Sequence, residues 1–341
     1  MSHRGPDGQG FWQSKYLRVS LGHVRLAIVD PSQAGAQPMH ADPGLSQVVN
    51  GEFYNFTELK RDLKLQSNFV SDCDSEILLH GYREKGLNFV SSLNGMFAFA
   101  LHDKKADKVY LARDRMGIKP LYYCFHDGEF IFASEIKALF GAMDVDAWQI
   151  DLQGLSEYLT YQTTMGDRTL FENVKQVLPG HILSLDTDTP KVFSQTPYWE
   201  PDFGTINKDL IFENAAELFS NTLKKSVSRH LLSDVGLSSY LSAGLDSAAV
   251  FSAGSQISVE QTGAPLTAFT GQFEQATEWY REAGPAGRLA DSLDAEHRTT
   301  SISAKELKEN IDDVIDALDE PRMGMGAFSQ FMVAKDVAKD F

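Results

Sequence analysis

Short blocks of apolar and aromatic residues recur through the first half of the chain, and turn residues separate them. Blocks of this length are typical of β-strands. The predicted strands are Ser46–Tyr54, Gly95–Asp103, Lys108–Asp114, Leu121–Phe125 and Glu129–Glu135. Apolar residues at helical spacing predict helices over Phe56–Leu63 and Glu76–Lys85. The first half is therefore predicted to be a mixed α and β structure.

The stretch Ser194–Asp209, which two prolines and a glycine punctuate, interrupts this pattern and predicts a domain boundary. Beyond it, strands and helices alternate. The predicted order is a helix over Leu210–Leu232, a strand over Val235–Leu241, a helix beginning at Ala248, a strand over Leu266–Phe273 and further helix. This alternation favours a parallel, doubly wound sheet. We therefore predict two domains, residues 1–198 and 209–341.

Composition narrows the class of protein and its partners. With 341 residues, 43% of them hydrophobic, the chain can bury substantial cores. No apolar run approaches the roughly 20 residues that span a bilayer, so a soluble protein without a membrane partner is expected. The two cysteines, Cys73 and Cys124, are too few for a disulfide framework, which favours a cytoplasmic location. The net charge of -16 argues against binding to nucleic acid and favours small-molecule partners.

Small residues dominate the stretch YLSAGLDSAAV, residues 240–250, between a predicted strand and a predicted helix. Backbone N–H groups at such a junction attract anions, above all phosphate. Ser242 and Ser247 can donate hydrogen bonds, Gly244 permits close backbone approach, and Asp246 offers a hard oxygen ligand for Mg²⁺. The lysine of the GxxxxGK[ST] motif is missing. These residues alone fit an ordinary strand-to-helix turn at least as well.

Further motifs occur in a fixed order along the chain. They are HRGPDG (3–8), RLAIVD (25–30), NGEFYN (50–55), DSE (74–76), GMFAFALHD (95–103), RDRMGIKPLYY (113–123) and ASEIKAL (133–139). Together with SAGLDS, which resembles an SGGxDS pyrophosphate loop, they make the chain similar to the glutamine-hydrolysing asparagine synthetase family. The resemblance implies an α+β, Ntn-type αββα sandwich, which is a class II glutamine amidotransferase domain. An α/β doubly wound ATP-pyrophosphatase domain is expected to follow it.

The resemblance also implies a glutamine site. Its residues would be Arg25, Leu26, Ala27, Ile28, Val29, Asn50, Gly51, Glu52 and Asp74. Arg25 would bind the substrate carboxylate, Glu52 and Asp74 its amino end, and Asn50 with Gly51 would form the oxyanion hole. Taken singly, Arg25 could form a structural ion pair, and Asn50-Gly51 could form a hairpin turn.

The family's nucleophile is an N-terminal cysteine whose own α-amino group acts as the base. This chain begins Met1-Ser2-His3. Cys73 and Cys124 carry no free α-amino group and are expected to be structural. The chain is therefore expected to be truncated at both ends relative to the family, and the polypeptide as written is not expected to hydrolyse glutamine.

The ATP site that the resemblance implies comprises Leu241, Ser242, Gly244, Asp246, Ser247 and Gly271, with Asp246 as the Mg²⁺ ligand. ATP and Mg²⁺ are the expected cofactors. Ala243 stands where the family has a glycine. A left-handed backbone at that position would cost roughly 1 to 2 kcal/mol.

The activity that follows from the resemblance is amidation of L-aspartate to L-asparagine through β-aspartyl-AMP, with ammonia from glutamine and release of AMP and pyrophosphate. Glutamine, aspartate and ATP are then the expected small-molecule partners, and formation of a homodimer is left open. Two alternatives remain open. One is amidation of another acceptor, a sugar or a different carboxylate, and the other is a non-catalytic glutamine-binding module. Upstream DNA that continues in frame to a Met-Cys-Gly start would favour an enzyme.

Overall fold

The computed structural model describes residues 1–16, 18–63, 69–143, 148–189, 193–275, 277, 281–321 and 324–339. The chain divides into two compact units, Met1–Gly204 and Thr205–Phe341. Across these described residues, each helix is either too short or too polar to cross a membrane.

The first unit contains short strands and a few helices. Its strands are β1 Gly8–Gln13, β2 Ser20–Arg25, β3 Met39–Ala41, β4 Leu45–Phe53, β5 Gly95–Asp103, β6 Lys108–Arg113, β7 Tyr122–His126, β8 Glu129–Ala133, β9 Val174–Gln176, β10 His181–Asp186 and β11 Phe193–Pro197. Its helices are α1 Phe56–Asp62, α2 Ile77–Lys85, α3 Ile136–Phe140 and α4 Leu152–Tyr161. The five predicted strands and the two predicted helices are confirmed, each to within a few residues at its ends.

Antiparallel pairing joins the strands of the first unit into a six-stranded sheet of order β11-β10-β6-β5-β4-β3, a three-stranded sheet of order β8-β7-β9, and the pair β1-β2. Side chains alternate between the two faces of β4. Phe53 packs against Leu78 of α2 on one face, whereas Val48 on the other belongs to a core with Tyr123 of the second sheet. Beyond that sheet, Ile136 of α3 packs against its far face. The layers therefore run helix, sheet, sheet, helix.

The second unit alternates helices with strands. Its elements are α5 Phe212–His230, β12 Ser238–Tyr240, α6 Leu245–Thr262, β13 Thr267–Phe273, α7 Ala283–Ser292, β14 His297–Ile302, α8 Ala304–Leu318 and α9 Gly326–Val337. The strands form a parallel sheet of order β12-β13-β14, which confirms the predicted parallel pairing.

Helices cover both faces of this parallel sheet. Phe251 of α6 and Ala290 of α7 pack with Ala268 of β13 on one side, whereas Met332 of α9 packs with Ile302 of β14 on the other. A doubly wound sheet also requires a reversal of strand order, and the described residues contain none. Helices on both faces are thus established, and the complete doubly wound order stays a prediction.

Two sequence predictions in the second unit need correction at their edges. The strand predicted over Val235–Leu241 is confined to Ser238–Tyr240, and α6 begins at Leu245 rather than at Ala248. In the first unit, Cys73 and Cys124 are both buried free thiols, as predicted. Strand β14 lies outside the predicted strands, because its residues are mostly polar.

Candidate functional site

A cavity of about 590 Å³ lies in the first unit, next to β2, β4 and the segment that leads into α2. The predicted glutamine residues that line it are Arg25, Leu26, Ile28, Val29, Asn50, Gly51, Glu52 and Asp74. Ala27 is not among the lining residues, and its backbone N–H donates to Asp7 Oδ2 over 2.8 Å. The fold therefore brings residues from three separate motifs to one place.

Strand β4 supplies Asn50, Gly51 and Glu52. Asn50 and Glu52 share the face that points away from α2, because side chains alternate along the strand. Asn50 pairs with Ala98 in the middle of the β4–β5 ladder. The hairpin interpretation of Asn50-Gly51 is therefore wrong. The Asn50 side-chain amide donates to Ser134 Oγ over 3.2 Å, which orients it at the cavity wall.

Gly51 must be glycine for two reasons. Its φ is 140°, a value that other residues rarely adopt. A Cβ atom on it would also lie 2.0 Å from the Met96 carbonyl oxygen. Its neighbour on β5, Phe97, accepts from the Asp114 N–H with its carbonyl and donates its own N–H to Asp114 Oδ2, and both bonds lie on the side away from β4. Gly51 and Phe97 therefore form a non-hydrogen-bonded pair, and the Gly51 N–H points away from β5.

Asp74 and Glu52 place two carboxyl groups at the cavity. Asp74, only 3% exposed, accepts a hydrogen bond of 2.6 Å from the Phe53 N–H. Burial raises the pKa of Asp74 despite this bond. Burial also raises the pKa of Glu52, and the charge of Asp74 raises it further, while Lys119 lowers it. A bound cation would relieve this crowding of negative charge.

Arg25, at the end of β2, holds the loop that follows. Its guanidinium donates to the Ser32 carbonyl at 2.8 Å, to the Val29 carbonyl at 3.3 Å and to the Asp30 carbonyl. The alternative structural ion pair does not occur among the described residues, because these acceptors are carbonyl oxygens. A guanidinium has five N–H donors. Two of them, the Nε–H and one Nη1–H, have no partner in the described parts of the chain.

Lys119 also lines the cavity, although it is not among the predicted site residues. Its backbone is fixed from two sides. Its N–H donates to Asp114 Oδ2 at 2.9 Å, and its carbonyl accepts from Arg113 Nε at 2.9 Å. Burial lowers the pKa of the Lys119 ammonium, and Glu52 acts in the opposite direction. Within the described ranges, Lys119 Nζ has no hydrogen-bond or ion-pair partner. The only sequence signal for this role was that Lys119 is a charged residue within the motif RDRMGIKPLYY.

His23 of β2 was also missed. Its Nε2 must carry a proton, because it lies 3.0 Å from the Val49 carbonyl, which can only accept. Its Nδ1 is buried and has no hydrogen-bond partner among the residues described. Burial lowers the pKa of this imidazole, which outweighs the opposing effect of the Val49 carbonyl. His23 therefore presents a neutral ring at the cavity wall.

The N-terminal motif HRGPDG is fastened to the motif ASEIKAL. Glu135, 4% exposed, accepts from His3 Nε2 at 2.9 Å and from Arg4 Nη1 at 3.0 Å. Burial opposes ionisation of Glu135, but these two bonds outweigh it and lower the pKa of the carboxyl group. Gly5 then passes so close to β2 that a Cβ atom would lie 2.4 Å from the Arg25 nitrogen. Both motifs therefore form part of the cavity wall, to which they contribute Arg4 and Ser134.

In the second unit, the predicted phosphate loop connects β12 to α6. Ser242 Oγ and Ser247 Oγ lie 2.7 Å apart, and the Gly244 N–H donates to Ser242 Oγ at 3.1 Å. Gly244 has a φ of -76°. Ala243 is likewise absent from the residues with positive φ, so the strain considered for this position does not arise. The loop is held by its own hydroxyl groups.

Leu241 and Gly271 flank this loop on adjacent strands. The Leu241 N–H donates to the Phe269 carbonyl at 2.8 Å, and its carbonyl accepts from Thr270 Oγ1 at 2.7 Å. Gly271 lies two residues beyond the last registered pair, Tyr240 with Phe269, and so reaches the level of the loop. A Cβ atom on Gly271 would lie 2.6 Å from Ser329 Oγ of α9. Helix packing alone therefore explains this glycine.

Asp246 is exposed in the first turn of α6. Among the described residues there is no cluster of three or more His, Cys, Asp or Glu that could enclose a metal ion. Mg²⁺ commonly binds through one or two carboxylates together with phosphate oxygens and water. The single carboxylate of Asp246 at the start of α6 fits this kind of Mg²⁺ binding, in which phosphate and water would supply the other oxygen ligands.

Comparisons with known proteins match each of the two units to a family. A family model described as a glutamine amidotransferase domain matches residues 1–199, and one described as asparagine synthase matches residues 218–341. Asparagine synthetase (glutamine-hydrolysing) 3 of Bacillus subtilis is 31% identical over 356 residues, which cover 100% of this chain and 56% of that protein. Amidase chry2 of Gibberella zeae is 33% identical over 350 residues, or 99% of this chain and 51% of that protein.

The chain spans about half the length of these curated relatives. Among solved structures, the glutamine phosphoribosylpyrophosphate amidotransferase of B. subtilis aligns with 82% of this chain and 51% of its own, at a TM-score of 0.38 and 17% identity. The two family models together cover both units, and the sequence relatives extend along the whole chain. The chain therefore belongs to the glutamine-hydrolysing asparagine synthase family.

Proposed function

We propose that the protein is an ATP-dependent amidotransferase that converts L-aspartate to L-asparagine with nitrogen from glutamine. The observation that carries this proposal is the cavity of the first unit, where a guanidinium, two carboxyl groups and a side-chain amide converge. Free glutamine presents a carboxylate, an ammonium group and an amide. The cavity offers a complementary group for each of them.

The proposed roles in the first unit follow from the bonds described above. Arg25 binds the α-carboxylate with its two unused N–H donors, and Glu52 with Asp74 binds the α-ammonium group. The Asn50 amide and the Gly51 N–H would stabilise the oxyanion that forms when a cysteine thiolate of the family type adds to the carbonyl carbon of the substrate amide. Removal of one such donor typically lowers the rate by about 10² to 10³.

In the second unit we propose that the loop from Ser242 to Ser247 binds the pyrophosphate part of ATP. Its N–H groups lie at the start of α6, where the helix dipole favours an anion. Mg²⁺ held by Asp246 would neutralise part of the phosphate charge. The β-carboxylate of aspartate attacks the α-phosphorus and expels pyrophosphate. Ammonia then attacks the acyl carbon and expels AMP, which leaves asparagine.

A second candidate is the same chemistry with a different acceptor. The observation in its favour is that relatives of about equal identity bear different names, an asparagine synthetase at 31% and an amidase at 33%. The glutamine and nucleotide residues would be unchanged under this alternative. Only the identity of the amidated product differs.

Calorimetric titration of the chain tests the two sites separately. L-glutamine should bind with one site per chain, and Asp74→Asn should abolish this binding while Asp42→Asn, an exchange outside the cavity, leaves it intact. AMP with pyrophosphate and Mg²⁺ should bind independently of glutamine, and Ser247→Ala should weaken it. Absence of glutamine binding to the unaltered chain would overturn the proposal. An activity assay with ATP, ammonium as the nitrogen donor, and aspartate or other acceptors identifies the product.

A further inference from the structure

The segment that carries Asp74 into the cavity begins near Phe69 and is fastened by Glu76. Glu76 Oε1 accepts from the Val70 N–H at 2.9 Å, and its Oε2 accepts from the Ser71 N–H at 2.8 Å and from Ser71 Oγ at 2.5 Å. Glu76 is only 4% exposed. Its carboxylate therefore closes residues 70–76 into a loop, and Asp74 lies inside that loop.

His80 fixes Glu76 from the next turn of α2. Its Nδ1 lies 3.0 Å from Arg83 Nη2, and because a guanidinium only donates, Nδ1 must accept. The proton of the neutral ring is then on Nε2, which donates to Glu76 Oε1 at 3.0 Å. His80 is 3% exposed, and its ring centroid lies 4.1 Å from that of Phe69. The imidazole thus holds both the carboxylate and the start of the loop.

Other hydrogen bonds place the middle of the loop, whereas at its beginning the Phe69 ring centroid also lies 4.6 Å from Lys60 Nζ and the ring packs against the core. The Asp72 N–H donates to Asp30 Oδ2 at 3.0 Å, and Gln47 Nε2 donates to the Ser75 carbonyl at 2.6 Å. Within the described residues, Asp74 itself has one hydrogen bond to another element, from the Phe53 N–H. The direction of the Asp74 carboxylate therefore depends on how both ends of the loop are held. Glu76, at one end, binds the backbone of Val70 and Ser71 at the other end.

We propose that Glu76 and His80 are positioning residues for recognition of the substrate α-ammonium group. They touch no cavity surface themselves, and they act by holding Asp74 beside Glu52. This inference rests on the proposed glutamine site. It goes beyond that site in one respect. Glu76 and His80, buried behind the cavity, would make the site prefer an amide that carries an α-amino group over a simple amide.

The test compares L-glutamine with glutaramate, the same molecule without the α-amino group. Calorimetric titrations of the full chain use the variants Glu76→Gln and His80→Phe. Glu84→Gln, an exposed position on the same helix, is the matched control. We expect either variant to weaken glutamine binding about tenfold or more, and glutaramate binding to change by less than about twofold, because only the ammonium contact is lost. Glu84→Gln should leave both affinities unchanged.

A rescue variant separates positioning from general damage to the fold. In His80→Gln the side-chain amide N–H takes the place of the Nε2 proton, so glutamine binding should recover most of its strength. Hydrogen exchange at the Val70 and Ser71 amides should be fast in His80→Phe and slow again in His80→Gln. Equal losses for both ligands, or no loss at all, would overturn the inference alone. An unaltered chain that binds no glutamine would overturn the proposed function, and this inference with it.

Discussion

Asp74 Oδ2 accepts the backbone N–H of Phe53, and this bond of 2.6 Å sets the Asp74 carboxylate beside Glu52, the residue that precedes Phe53 on β4. Two acidic groups from different motifs thereby share one partly closed space. Burial is the main reason that both groups have a raised pKa. The arrangement disfavours the empty, ionised site and favours a bound cation.

Asp74→Asn should therefore stabilise the first unit near neutral pH while it abolishes glutamine binding. A carboxyl group whose pKa is raised by folding destabilises the fold above that pKa, and the effect vanishes as the pH falls towards the ordinary value of about 3.9. Thermal unfolding at pH 8 and at pH 5 measures the difference. The gain in Tm should be larger at pH 8. A lower Tm at pH 8 would contradict the electrostatic interpretation.

Lys119→Met should weaken glutamine binding and make it depend more steeply on pH. The Lys119 ammonium lowers the pKa of Glu52, so its removal leaves less ionised Glu52 at a given pH. We expect a loss of roughly three- to tenfold at pH 6 and a smaller loss at pH 8, the size typical of a partly screened charge. Titrations at both pH values measure it. Lys105→Met, at an exposed turn, is the control and should have no effect.

Gly51→Ala should prevent stable folding of the first unit. The added Cβ atom would lie 2.0 Å from the Met96 carbonyl, and the φ of 140° is unfavourable for alanine. A loss above about 3 kcal/mol in the free energy of unfolding is expected, because strain and broken strand pairing add together. Gly22→Ala is the control, since no atom lies within 4 Å of its added Cβ atom. Similar stabilities for the two variants in urea titrations would contradict the prediction.

Glu135→Gln should destabilise the first unit by about 1 to 3 kcal/mol at pH 7, because His3 and Arg4 lose a buried charged acceptor. The pKa of Glu135 is lowered in the fold. Its contribution is therefore complete above the ordinary glutamate value of about 4.3 and is lost as the pH falls through the lower folded value. Urea titrations should show the difference between variant and parent shrinking in that acid range. A constant difference would mean that the charge is unimportant.

Thr270→Val should weaken nucleotide binding in the second unit. Thr270 Oγ1 donates to the Leu241 carbonyl at 2.7 Å and lies 2.8 Å from His297 Nε2, which can donate to the same oxygen. Valine keeps the shape but leaves two polar groups unpaired, which costs about 1 to 3 kcal/mol. Thr270→Ser retains the hydroxyl and is the matched control. Equal affinity of both variants for AMP with pyrophosphate would show that this hydroxyl does not support the loop.

The sequence predicts well those elements that contain many apolar residues and are therefore buried. Strands β4, β5 and β6 were found because their apolar residues face two cores. β14 was missed, because His297–Ile302 is held by parallel pairing with β13 and buries little of its own. Lys119 and His23 could not be assigned to the cavity, since only tertiary folding places them there. Motif order predicted the residues of the proposed glutamine site, while their bonds, such as those of Arg25 to carbonyls, required the structure.

The 2.7 Å contact between Ser242 and Ser247 has a thermodynamic consequence for any phosphate that enters their loop. The anion must replace an existing internal bond, so the enthalpy of its capture is a difference between two sets of contacts. Substitution of one serine removes a hydrogen-bond donor to the anion. It also leaves the hydroxyl group of the other serine free to bind the anion without first breaking the bond between the two serines. The measured penalty of a single exchange will therefore understate what each hydroxyl contributes, and the double exchange should exceed the sum of the two single ones.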